Sequence, residues 1–195
     1  RDWSSDVCSS DLGQNRLYSN TTGTSNSAVG KSALFNNTTG NYNTVLGYYA
    51  LVSNTTASNN TAVGYQAAYS NVTGTRVTAI GATAGYSNTA TDNTYVGYAA
   101  GNSNTSGTYN TFIGGYGANG YSAGYSNTTG SYNTALGADA LGRNTTASNN
   151  TAVGYQAGYT NTTGQYNTFI GIGAGYTSNA TGNTLMGRNA GTDVT

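Results

Sequence analysis

The sequence predicts an all-β fold, a parallel β-solenoid (β-roll) of about ten coils of 17 residues each. Three observations predict it. Glycine recurs at a nearly constant interval, each of these glycines follows an aliphatic residue or Met, and the segment NTTASNNTAVGYQA at 54–67 recurs at 144–157. A segment repeated at a fixed spacing occupies equivalent positions in a stack of repeats. Abundant Asn, Thr and Gly, which are poor helix formers, disfavour a helical alternative.

The repeat is defined by ten corner glycines: Gly30, Gly47, Gly64, Gly81, Gly97, Gly114, Gly137, Gly154, Gly171 and Gly187. Their intervals are 17, 17, 17, 16, 17, 23, 17, 17 and 16 residues, so the long interval predicts an insertion near 115–131. We expect one domain over 13–195. Residues 1–12, RDWSSDVCSSDL, share neither the composition nor the rhythm of the rest, and we expect them to be a non-native leader of the kind translated from adapter sequence.

Each repeat reads N-T-x-V-G, with aliphatic substitutes for Val. Outward and inward side chains alternate in a strand, so this pattern suits a short strand followed by a glycine corner. Stacked coils place like residues on like, about 4.8 Å apart. We therefore expect ladders of Asn amides and of Thr hydroxyls between coils. A small residue comes three positions after each corner glycine, Ala in nine repeats and Gly117 in the tenth.

Two apolar columns adjoin in the strand. One, just before the corner glycine, is always aliphatic or Met; the residue before it varies between Ala28, Val45, Tyr95, Phe112 and similar side chains. If the invariant column faces the coil interior, the variable column faces outward, because neighbours in a strand point to opposite sides. An outward apolar stripe requires cover from another subunit. We expect a homotrimer, with a dimer or lateral filament as the alternatives.

Composition narrows the function. Only 6% of the residues are charged and the net charge is zero, so the chain lacks the basic footprint for nucleic acid or an anionic membrane. His and Glu are absent, and the credible carboxylates Asp92, Asp139 and Asp193 lie in different repeats. We expect no enzyme site, no metal and no cofactor. A hexapeptide acyltransferase β-helix is disfavoured because its motif occurs once per coil and no His can act as the base.

Tyrosine and Asn-x-Ser/Thr sequons are the candidate surface features. Tyr rings can stack on sugars or proteins, or on one another to stiffen the rod. The candidate binding residues are Tyr65, Tyr69, Tyr86, Tyr155, Tyr159 and Tyr176. Sequons provide candidate glycan attachment at Asn20, Asn37, Asn54, Asn71, Asn104, Asn127, Asn144 and Asn161. Out-of-phase sequons at Asn36, Asn59 and Asn149 show that the motif also arises by chance in such a composition.

The repeated N-[TS]-x-[VIL]-G-x-x-A register over 13–195 resembles the YadA-like head repeats of trimeric autotransporter adhesins and related phage tail-fibre repeats. The resemblance implies a left-handed, trimeric β-roll on the cell surface, outside the cell or on a virion tail fibre. We expect an adhesive or structural fibre module that attaches to a receptor, glycan or surface. The alternatives are a self-assembling, glycosylated extracellular filament and, less favoured, an ice-binding solenoid, because bulky Phe and Tyr beside the Thr column would spoil a flat face.

Overall fold

In a computed structural model, one parallel sheet of eleven strands runs through the described part of the chain. The structure describes residues 7–8 as backbone and 17–192 with side chains; Asp193 and the rest of the expected leader lie outside the described residues. The strands follow one another in chain order. They are β1 (Val7–Cys8), β2 (Asn26–Val29), β3 (Thr44–Leu46), β4 (Thr61–Val63), β5 (Thr78–Ile80), β6 (Thr94–Val96), β7 (Thr111–Ile113), β8 (Thr134–Leu136), β9 (Thr151–Val153), β10 (Thr168–Ile170) and β11 (Thr184–Met186).

The stack of like on like confirms the predicted solenoid. Each of the strands β2 to β10 pairs in parallel with the next, and Thr44 stands opposite Thr61, which stands opposite Thr78. The corner glycines adopt φ between 116° and 153°, a region that side chains disfavour. A Cβ on Gly64 would also lie 2.6 Å from the carbonyl carbon of Gly81. The corners therefore need glycine both for conformation and for the closeness of the coils.

The predicted orientation of the two apolar columns is wrong, because the invariant column does not face the coil interior. The variable column points inward: Tyr95, Phe112 and Phe169 are fully buried. The invariant aliphatic column points outward, and Leu46 and Met186 are 49% and 65% exposed. The Asn before the strand Thr is buried in eight coils and lies on the inward side, and alternation then places the variable residue inside and the Thr and aliphatic residues outside.

Side-chain size explains why the variable column belongs inside. Its partner is the fourth residue after the corner glycine, or the tenth in the long repeat, and is here called the filler residue. Where the strand supplies only Ala28 or Ala135, the filler is Leu34 or Leu141, and both fillers are fully buried. Where the strand supplies an aromatic ring, the filler is glycine; a Cβ on such a glycine would overlap the ring of Tyr95, Phe112 or Phe169. In these coils a large residue in one column is thus matched by a small residue in the other, which keeps the narrow interior closely packed.

The insertion is short. In nine coils the third residue after the corner glycine donates its backbone amide to the carbonyl of that glycine, and in the long repeat Ala123 makes this bond to Gly114. The predicted Gly117 does not hold that position, which is Ala in all ten coils. Gly117 instead opens the loop, donating to Tyr121 O at 2.8 Å. The extra residues are 115–120.

The predicted ladders of Asn amides between coils are confirmed. Asn43 Nδ2 donates to Asn26 Oδ1 at 3.1 Å, and Asn43 Oδ1 accepts from the backbone N–H of Asn60 at 3.0 Å. A second ladder runs through the turn, where Asn54 Nδ2 donates to Asn37 Oδ1 at 2.6 Å. These bonds satisfy most of the amide groups that the narrow coil buries, although Asn54 Oδ1, Asn144 Oδ1 and Asn161 Oδ1 are buried without a hydrogen-bond partner among the described residues. The predicted ladder of strand Thr hydroxyls is wrong, because those side chains point out of the coil.

Candidate functional site

The outward side of the sheet presents two parallel columns, here called the strand face. The first holds Ser27 and the nine strand threonines Thr44, Thr61, Thr78, Thr94, Thr111, Thr134, Thr151, Thr168 and Thr184. The second is the invariant aliphatic column, which includes Leu46, Ile80, Leu136 and Met186. Neither column contains a charged residue. The strand face is therefore a straight, uncharged stripe of hydroxyl and methyl groups, roughly 50 Å long for ten coils.

The strand threonines have unused hydroxyl groups. Within residues 17–192, no Oγ1 of the nine strand threonines forms a hydrogen bond with another protein atom, whereas turn threonines do. Thr38 Oγ1 donates to Thr55 O at 2.9 Å and Thr128 Oγ1 donates to Thr145 O at 3.0 Å. Turn hydroxyls thus stabilise the coil itself, and strand hydroxyls are available to whatever meets the strand face.

Tyrosines border the strand face on both sides. The residues two positions before each strand Thr form a column at the turn that leads into the strand, here called the corner column. It carries Tyr42, Tyr109, Tyr132 and Tyr166, which are 52–64% exposed. Directly after the corner glycine, a second column carries Tyr48, Tyr65, Tyr98 and Tyr155. Tyr48 and Tyr65 stack with centroids 5.8 Å apart, and Tyr109 and Tyr132 stack with centroids 5.0 Å apart.

The six tyrosines predicted as a binding surface do not form one site. Tyr65 and Tyr155 lie in the column after the corner glycine, five coils apart. The other four pack in pairs on a separate flank: Tyr69 stacks on Tyr86 at 5.0 Å, and Tyr159 on Tyr176 at 5.2 Å. Tyr159 is only 7% exposed, and burial raises the pKa of its phenol. The geometry of these four favours the stiffening role over ligand binding.

The insertion completes this flank, a role that the sequence pattern did not reveal. Gly142 leaves a gap in the tyrosine column, and Tyr121 fills it, making edge contacts with Tyr125 and Tyr159 at 5.5 and 5.7 Å. The buried carboxylate of Asp139 holds the loop by accepting the amides of Asn119 and Tyr121, each at 3.1 Å. The sequence signal for this anchor is Asp139 itself, the one carboxylate among the residues two positions after the corner glycines.

Burial contradicts most of the predicted glycan sites. Among the predicted acceptors, Asn37, Asn54, Asn71, Asn104, Asn127, Asn144 and Asn161 are fully buried in the turn ladder. Each donates Nδ2 to a carbonyl within its own turn, as Asn127 does to Gly130 O at 2.9 Å. A buried side-chain amide that is bonded in this way has no space for an attached sugar. Asn20, half-buried at the end of the ladder, shares the same bonding, with Nδ2 2.8 Å from Gly23 O.

Ionisable groups are sparse and serve the framework. Arg76 forms a bidentate pair with Asp92 in the corner column, at 2.6 and 2.8 Å, and its hydrogen bonds lower the pKa of the Asp92 carboxyl. The Tyr95 phenol donates to Asn88 Oδ1 at 3.0 Å, and burial raises its pKa. In the described part of the chain, no group of three His, Cys, Asp or Glu side chains could hold a metal ion.

The fold and its repeating surface define a β-solenoid repeat protein. Comparison with protein-family models, with curated proteins and with solved structures found no match. Over the described residues there is no helix with the length and apolar character to span a membrane.

Proposed function

We propose that this protein is an extracellular structural and adhesive fibre module, a stiff rod whose copies associate through the strand face and present the remaining surface for attachment. The observation that carries the proposal is the outward aliphatic column, which occupies every coil from Val29 to Met186. Nothing inside the coil requires these side chains, since Ala, Leu and aromatic residues of other columns fill it. A continuous apolar stripe on the outside is typical of a surface that another chain covers.

A homotrimer suits the shape of this stripe. Three rods set side by side can bury one narrow stripe each around a common axis, and the short side chains of Thr and Val allow close approach. Unused Thr hydroxyls can pair with hydroxyls of the neighbouring copies at the same level. The uncharged character of the strand face also supports contact between identical copies, because no like charges meet.

Light scattering on purified protein tests the association. We expect the mass of a trimer for the unaltered chain. Ile80→Lys with Ile113→Lys places two charges on the strand face and should yield folded monomers, since the substituted side chains are already partly exposed. The matched control is Thr56→Lys with Thr146→Lys, at exposed turn positions outside the strands, which should keep the trimer. A monomeric unaltered chain would exclude self-association, and a mass that grows with concentration would favour the filament.

Ice binding is the second candidate, and one observation now favours it. The bulky Phe and Tyr residues that argued against a flat face point into the coil, as the full burial of Tyr95 and Phe112 shows. The strand face thus carries Thr in nine successive strands at a spacing of about 4.8 Å. Regularly spaced hydroxyl and methyl groups can order water into a lattice. Thermal hysteresis measures this activity. If it persists in the control Thr56→Lys/Thr146→Lys and disappears in the strand-face variant Ile80→Lys/Ile113→Lys, ice binding is favoured over the trimer.

A further inference from the structure

The inserted loop carries the one Asn-Gly step of the sequence, Asn119-Gly120. In such a step the backbone nitrogen of the glycine can attack the side-chain amide carbon of the asparagine, because glycine has no side chain to obstruct its own nitrogen. The loop leaves both groups accessible. Asn119 is exposed, and a Cβ built on Gly120 would meet only the Tyr116 hydroxyl among the described residues, at 3.7 Å. This step is therefore a candidate site of spontaneous chemical modification.

An exposed asparagine of the regular coils shows the contrast. Asn59 is exposed as well, but the next residue, Asn60, donates its backbone N–H to the buried Asn43 Oδ1 at 3.0 Å. That nitrogen lies inside the rod, so an attack by it would require the stack of coils to open. The Gly120 N–H instead bonds within the loop, to Gly117 O at 3.1 Å. Opening the loop alone is enough to free it.

The Asp139 carboxylate holds this loop closed. One of its oxygens accepts the backbone N–H of Asn119 and the other that of Tyr121, each at 3.1 Å. The anchor thus holds the residues on both sides of Gly120 and keeps the backbone between them in its folded turn. The rate of attack at Asn119 therefore depends on how often the anchor opens, and a chemical change at Asn119 in turn alters the anchor.

We propose that Asn119 is a site of spontaneous deamidation whose products release the inserted loop from Asp139. The Gly120 nitrogen attacks Asn119 Cγ, the new N–C bond displaces Nδ2, and the proton of the attacking nitrogen leaves with it as ammonia. Water then opens the resulting succinimide ring at either of its two carbonyls. The products are aspartate and isoaspartate at position 119, and water is the only co-reactant.

Both products weaken the anchor. Each places a carboxylate on residue 119, whose backbone N–H is bonded to Asp139 Oδ2, and two like charges held so close repel each other. Isoaspartate also adds a methylene group to the main chain, which shifts Tyr121 relative to Asp139. Because Tyr121 fills the gap that Gly142 leaves in the tyrosine column, release of the loop uncovers this flank as the protein ages. The proposal does not depend on association through the strand face.

Peptide mass spectrometry on protein incubated in mildly alkaline buffer tests the site. Conversion of the amide to a carboxylate should be at least about tenfold faster at Asn119 than at the exposed Asn59. Asp139→Ala should raise the rate at Asn119 by a further factor of about ten or more, because the hydrogen bonds that hold the loop closed are lost. The matched control Asp92→Ala removes a carboxylate bonded to Arg76 instead of the loop and should leave this rate unchanged. Equal rates at Asn119 and Asn59, or an unchanged rate in Asp139→Ala, would overturn the proposal.

Cleavage by chymotrypsin at Tyr116 tests the release of the loop. Unaltered protein that has been aged until Asn119 is converted should be cut there at least about tenfold faster than fresh protein. Asn119→Gln keeps a side-chain amide, but its longer side chain would have to close a larger ring, which forms much more slowly. The same ageing should therefore leave its cleavage rate unchanged. The release is refuted if ageing speeds cleavage equally in Asn119→Gln, or if isoaspartate accumulates at position 119 of the unaltered protein without faster cleavage.

Discussion

The Phe169 ring occupies the space that a side chain on Gly158 would need. A Cβ added to Gly158 would lie 2.6 Å from Cδ2 of Phe169, and the ring also overlaps the Cβ position of Gly175 in its own coil. The aromatic residue thus takes the volume of two filler positions. In the coil of Ala135, where the strand residue is small, the filler Leu141 occupies the corresponding space. In these coils, large and small residues are exchanged between the two columns.

This exchange predicts strong coupling between Phe169 and Gly175. Phe169→Ala should destabilise the protein by about 3–5 kcal/mol through the cavity it leaves. Gly175→Leu should cost about 1–3 kcal/mol or more through overpacking. The double variant recreates the pairing of Ala135 with Leu141, so its loss should be smaller than the sum by more than about 1 kcal/mol. A denaturant-based double-mutant cycle measures this, and additive losses would contradict the exchange.

The same pair shows what the sequence could and could not predict. The glycine interval predicted the stack, because stacking depends only on repetition. Which apolar column faces inward did not follow from alternation, since a period of two specifies that the columns oppose each other and not which one is buried. A partial signal was present, because Tyr95 and Phe169 at the variable position are each followed six residues later by a glycine filler, Gly101 and Gly175.

The sequon prediction failed for a related reason. The motif N-x-[ST] describes local chemistry, whereas Asn127 and its equivalents owe their place to bonds with the coil above and below. Such contacts join residues 16–23 positions apart and cannot be seen in a short motif. The left-handed φ of Tyr42, Tyr109, Tyr132 and Tyr166 is likewise a property of the fold, which their shared sequence G-x-Y-N-T does not reveal.

The turn ladder predicts a large cost for losing one of its amides. Asn127→Ala removes the donor to Asn104 Oδ1, which then has no partner among the described residues inside the rod. A buried unsatisfied acceptor costs about 1–3 kcal/mol, and the free energy of unfolding should fall by that amount. Asn36→Ala, at an exposed Asn outside the ladder, is the control and should change it by less than about 0.5 kcal/mol. Equal effects of the two substitutions would argue against the ladder.

The Asp139 anchor predicts that the insertion can be released without unfolding the rod. Asp139→Ala removes the acceptor of two loop amides, and hydrogen bonds to a charged group contribute about 1.5–3 kcal/mol each. Chymotrypsin should then cut at Tyr116 about tenfold faster or more, while the circular dichroism of the sheet is unchanged. Asp139→Asn keeps one acceptor oxygen and should give an intermediate rate. Unchanged cleavage in Asp139→Ala would show that other contacts hold the loop.

The Arg76–Asp92 pair predicts a small acid-dependent component of stability. Its hydrogen bonds lower the folded-state pKa of Asp92 below the unfolded value of about 3.9. The stabilisation is therefore fully present above that value and is lost as the pH falls through the folded-state pKa. Because Arg76 is exposed, solvent screening should keep this contribution small. Unfolding free energies of the unaltered protein and of Asp92→Asn, compared at pH 6 and pH 2, should differ at the higher pH and converge at the lower one; a difference that persists at pH 2 would assign the loss to something other than the ion pair.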